Sequence, residues 1–131
     1  MSELLAHLKR IKFDKQLKKL NRKLKNKTVV IYGTGLLFQE ILKNYDLSDL
    51  NIIGVSDRKY SSEDENKKEF GFNIIPLEKI NDYKPDYILI STLKFLNLMN
   101  DFRNNVFKDS RITVLPLVDK PFLELLKEIF Q

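Results

Sequence analysis

Residues 27–42 read Lys27-Thr-Val-Val-Ile-Tyr-Gly-Thr-Gly-Leu-Leu-Phe-Gln-Glu-Ile-Leu42, and the reading of the whole chain follows from them. The β-branched run Val29, Val30, Ile31 stops at Gly33-Thr34-Gly35. Leu36, Leu37, Ile41 and Leu42 then recur at helical spacing. Strand, tight glycine turn and helix follow one another without a gap. Glycines at such a turn permit positive φ and a close approach of another molecule to the backbone. The helix that follows presents unpaired N–H groups and the positive end of its dipole to an anion.

Gly33 and Gly35 supply two glycines of the Rossmann dinucleotide fingerprint, and Phe38 stands where the third would be. A bulky ring there is expected to push the helix outward or to cover the turn. Asp57 lies 22 residues after Gly35, at the end of the apolar run Asn51-Ile-Ile-Gly-Val-Ser. That is where a carboxylate accepts hydrogen bonds from ribose hydroxyls; read otherwise, it starts a turn. Arg58 beside it suits a ligand phosphate. Asp57 would repel a 2′-phosphate, which disfavours NADP. Ser91 and Thr92 close the strand Asp86-Tyr-Ile-Leu-Ile-Ser-Thr92 at its carboxyl end, where open α/β sheets bind ligands; their hydroxyls suit either a ligand or a helix cap. The expected cofactor-binding set is therefore Gly33, Thr34, Gly35, Leu36, Asp57, Arg58, Ser91 and Thr92.

Further strands are expected at 72–75 and 111–116, and helices at 77–82, 94–107 and 121–130. On helix 94–107 the apolar face is Phe95, Leu98, Met99, Phe102 and Val106. Residues 58–70 are polar and charged and read as a mobile loop, a candidate lid. Alternating strands and helices imply a three-layer α/β fold, Rossmann-like, with a mostly parallel sheet of about five strands and right-handed crossovers. Residues 1–26 read as one basic amphipathic helix, with a phase slip near Ile11–Phe13, and residues 27–131 as the nucleotide-binding domain.

The charge is divided unevenly. Residues 1–27 hold ten Lys/Arg against two Asp/Glu, and the rest holds thirteen against sixteen. A basic helix on a mildly acidic body is not the distributed basicity of a nucleic-acid-binding domain. Its apolar stripe must lie on its own domain, on a second copy or on a membrane surface. Homo-oligomer formation through this helix is the expected partnership. No cysteine is present, which removes disulfides and thiolate metal sites and suits a cytoplasmic location. His7 is the single histidine and lies far from the other motifs, against a Ser-His-Asp triad or a histidine zinc site. There is no P-loop motif, no Tyr followed four residues later by Lys, no transmembrane run and no secretory signal. No general acid–base pair emerges, so catalytic residues remain unassigned.

The chain from 27 to 92 resembles a small Rossmann-like domain of bacterial surface-polysaccharide proteins, found in sugar-nucleotide epimerase/dehydratases and before sugar acyltransferases. The residues that carry the likeness are Val-Ile-Tyr-Gly-Thr-Gly, Ile-Ile-Gly-Val-Ser-Asp, then Gly71, Ile75-Pro76-Leu77 and Pro85-Asp86. The resemblance implies a sugar nucleotide, NAD or a coenzyme A-like ligand held through Gly33, Gly35 and Asp57. It implies a binding module in glycan synthesis without complete catalytic machinery. The alternatives are an NAD-dependent sugar-nucleotide-modifying enzyme completed by a partner subunit, and an assembly protein acting through its basic helix.

Overall fold

A computed structural model describes residues 2–92 and 95–118. The expected helix at 121–130 lies outside the described residues. Four strands, β1 (Thr28–Tyr32), β2 (Asn51–Ser56), β5 (Tyr87–Ile90) and β6 (Thr113–Pro116), form a parallel sheet in the order β2-β1-β5-β6. Between β2 and β5 the chain makes a two-stranded antiparallel hairpin, β3 (Lys68–Glu69) and β4 (Phe72–Asn73). Helix α3 (Leu36–Asn44) joins β1 to β2, and α5 (Phe95–Asp101) lies between β5 and β6. The short helix α4 (Ile80–Tyr83) precedes β5. The chain leaves β1 toward β2, then returns past β1 to β5 on the other side. The strand order thus reverses between β1 and β5, which opens a crevice at their carboxyl ends. This is a mixed α/β chain with a parallel central sheet, the layout a Rossmann-like fold requires.

The strand expected at 72–75 is divided. Phe72 and Asn73 pair with β3, and the chain reaches β2 only beyond them, through one parallel bridge of Ile74 with Val55 and the Ile75 amide donating to the Val55 carbonyl at 2.9 Å. Pro76 follows and cannot donate to a ladder. Gly54 makes this approach possible: a Cβ there would lie 2.7 Å from Ile75 Cγ1. Residues 58–70 are not a structureless lid. The Asp64 carboxylate accepts from the Ser61 amide at 2.9 Å while the Asp64 amide bonds back to Ser61, and the hairpin turns through Phe70 and Gly71, both at positive φ. Two positive-φ residues in succession suit a tight hairpin whose twist matches its strands. The polar residues of this stretch act as caps and turn formers rather than as solvated linker.

The N-terminal segment is two helices, α1 (Glu3–Arg10) and α2 (Phe13–Lys23), not one. Ser2 caps α1, accepting from the Leu5 amide at 3.0 Å. Lys12 breaks the run at φ 57, and this left-handed residue is the physical form of the phase slip. Leu8, Phe13, Leu17 and Leu24 are buried in the same core as the sheet. The apolar stripe is therefore covered within the chain, and dimer formation is not needed to cover it. The last turn of α5 is displaced too. Residues Phe102–Val106 form a π turn, closed by the Phe107 amide on the Phe102 carbonyl at 2.8 Å. That extra residue rotates the face by one position, so Phe107 is buried and the expected Val106 is exposed.

Candidate functional site

The glycine turn sits at the carboxyl end of β1 and is stitched to both neighbouring strands. Gly33 has φ +108, and its amide donates to the Ser56 carbonyl at 2.8 Å. An added Cβ would lie 2.5 Å from Thr92 Cγ2. Gly33 is therefore required by both backbone conformation and space. The Ser91 hydroxyl donates to the Gly33 carbonyl.

Thr34 is fully buried, and each of its polar groups has a partner. Its amide donates to Asp57 Oδ2 at 2.7 Å, and its hydroxyl lies 3.2 Å from the same oxygen. The Tyr60 hydroxyl lies 3.1 Å from Thr34 Oγ1, and the Gln39 side-chain amide donates to the Thr34 carbonyl at 3.1 Å. The other carboxylate oxygen, Asp57 Oδ1, accepts from the Lys59 amide at 3.1 Å.

Gly35 differs from Gly33. It is the N-cap of α3 in ordinary extended conformation, φ −81, with no side-chain cap. No atom stands within 4 Å of where its Cβ would be. Beside it opens a cleft of about 620 Å³ over the ends of β1 and β5. Six of the eight expected residues line it: Gly35, Leu36, Asp57, Arg58, Ser91 and Thr92. Gly33 and Thr34 lie buried behind that wall and shape it. Phe38 is buried against Phe70 and Phe72, at ring-centroid distances of 6.1 and 6.3 Å, and does not line the cleft. The third-glycine position thus packs α3 against the hairpin and leaves the turn uncovered.

The sequence reading missed the apolar part of the cleft. Leu4 from α1, Leu37 from α3 and Leu98 from α5 line it, with Tyr32 at the base. Helical spacing marks these residues as apolar and does not show that they meet one another. Tyr32 packs edge-on against Phe102, with centroids 4.9 Å apart. Burial, reinforced by Asp57 and opposed by Arg58, pushes its phenol above the usual tyrosine value. At neutral pH that phenol stays protonated, so it is no general base.

The two expected hydroxyls separate in role. Ser91 is buried and engaged with the turn, whereas Thr92 Oγ1 is buried at the cleft without a hydrogen-bond partner. A buried hydroxyl left unpaired costs free energy unless something else completes it. The arrangement offers an uncapped helix start, a cation at Arg58, an unengaged hydroxyl and an apolar wall. These are binding elements; no nucleophile with an adjacent base stands among them.

The family described as C2185-like, N-terminal matches residues 25–113, from just before β1 to the first residue of β6. The chain belongs to that family. The matched span contains the glycine turn, Asp57, Arg58, Ser91 and Thr92, while Leu4 of the cleft wall lies before it. No curated protein matches the chain. No described helix is long and apolar enough to cross a membrane.

Proposed function

We propose that the cleft binds a nucleotide or sugar nucleotide, as a binding module for bacterial glycan synthesis rather than a self-sufficient enzyme. The observation that carries this reading is Gly35. Neither its backbone conformation nor any neighbouring atom calls for glycine. What glycine leaves there is open space in front of the first amides of α3, where a phosphate gains both hydrogen bonds and the helix dipole. Arg58 and Thr92 border the same space. The apolar wall suits a base or another flat group. The link to glycan synthesis rests on the motifs shared with surface-polysaccharide domains.

The test is Gly35→Asp, read by titration calorimetry against UDP-sugars, NAD and coenzyme A. Aspartate is a favoured N-cap, so the variant folds and α3 gains a few tenths of a kcal/mol. Its carboxylate fills the phosphate position and repels the ligand. The expected result is heat of binding for one of these nucleotides in the wild type and at least a tenfold loss in the variant. Wild-type protein that binds none of them at millimolar concentration refutes the reading.

A further inference from the structure

The second-strand carboxylate of a dinucleotide site is free to grip the two ribose hydroxyls. In this chain it is otherwise engaged. A carboxylate offers about four acceptor positions. Asp57 Oδ2 faces both the amide and the hydroxyl of Thr34, and Oδ1 accepts from the Lys59 amide. One position remains, and a vicinal diol needs two. The hydroxyls also form an ordered relay. When Thr34 donates to Asp57, its oxygen accepts from the Tyr60 hydroxyl at 3.1 Å. Turn, strand end and the loop after it are joined through one buried threonine.

We infer that Asp57 is a latch holding the glycine turn to β2, and that the cleft consequently does not read the ribose diol. This deepens the nucleotide reading and rests on it for the choice of ligand. The ligands it selects are nucleotides recognised without their 2′- and 3′-hydroxyls at Asp57, so ribo- and deoxyribonucleotides bind alike. Discrimination falls to the Gly35 opening, Arg58, Thr92 and the wall made by Leu4, Leu37 and Leu98.

Two measurements on the full chain test this. The first needs no ligand. Removing a latch leaves the buried Thr34 amide unpaired, so Asp57→Ala lowers the melting temperature by about 4 °C or more. Asp57→Asn keeps an acceptor oxygen and falls less; Tyr60→Phe breaks only the outer link and falls least. Should Asp57→Ala fail to fold, the order of the other two against wild type decides. Wild-type or higher melting temperatures in the aspartate variants overturn the latch, because a carboxylate reserved for ligand contributes nothing to the empty fold. The second measurement compares UDP with 2′-deoxy-UDP, and ADP with 2′-deoxy-ADP, by calorimetry. Affinities within about twofold support the inference. A tenfold preference for the ribonucleotide that disappears in Asp57→Asn overturns it, since one lost hydrogen bond to a carboxylate accounts for such a factor. If neither nucleotide of either pair binds, the function proposed above loses its support. The melting order then decides the latch alone.

Discussion

The two ends of the central strands carry the same pair of residues in different surroundings. At the carboxyl end, Asp57 accepts from the amide and hydroxyl of Thr34 at 2.7 and 3.2 Å. At the amino end, Asp86 accepts from the amide and hydroxyl of Thr28 at 2.8 and 3.1 Å. The lower pair is reciprocal, since the Asp86 amide also donates to Thr28 Oγ1 at 2.9 Å. It ties the first residue of β1 to the residue just before β5. The upper pair ties the turn to β2 after both strands have ended. Thr34 is fully buried, whereas Asp86 is exposed and Thr28 partly so. Equal geometry therefore does not mean equal worth. Water replaces a lost partner more readily at the exposed lower end than at the buried Thr34 amide.

The largest expected effect is on the turn itself. Gly33→Ala places a methyl against Thr92 at a φ that side chains avoid, and chemical denaturation should show a loss of about 3 kcal/mol. Next comes the direct contrast between carboxylates. Asp57→Ala should lose about 2 kcal/mol, the cost of a stranded buried amide. Asp86→Ala should lose visibly less under the same conditions, and equal losses would break the comparison. The lower pair has its own pH signature. The Thr28 amide holds the Asp86 carboxyl below the usual aspartate range. A folded pKa below the unfolded one contributes stability above about pH 4 and loses it as pH falls through the folded value. Asp86→Asn should flatten the wild-type decline in melting temperature below pH 4. The smallest effect belongs to the cleft: Thr92→Val removes an unpartnered hydroxyl, so the empty protein should gain up to about 1 kcal/mol while binding weakens.

Local order was legible in the sequence, and contacts across distance were not. Val29–Ile31, the glycine pair and the period of α3 define strand, turn and helix because each is a property of neighbours. The position of Asp57 at a strand end was equally plain. Its hydrogen bond to Thr34 was not, because it joins residues 23 positions apart and resembles a ribose ligand in every local respect. Polarity made residues 58–70 read as a loose loop, yet Asp64 and the Phe70–Gly71 turn fix them locally. The break at Lys12 left a trace, the slipped period, but a left-handed lysine has no composition signal. Leu4, Leu37 and Leu98 read as core, and only the assembled sheet shows them as a wall.

Leu4 carries a consequence for anyone handling the molecule. The basic amphipathic segment, set apart in the sequence from the nucleotide-binding domain, contributes Leu4 to one side of the cleft. Occupancy of the cleft and docking of α1 are thereby thermodynamically linked: whatever fills the hollow also shields the first ten residues from a protease.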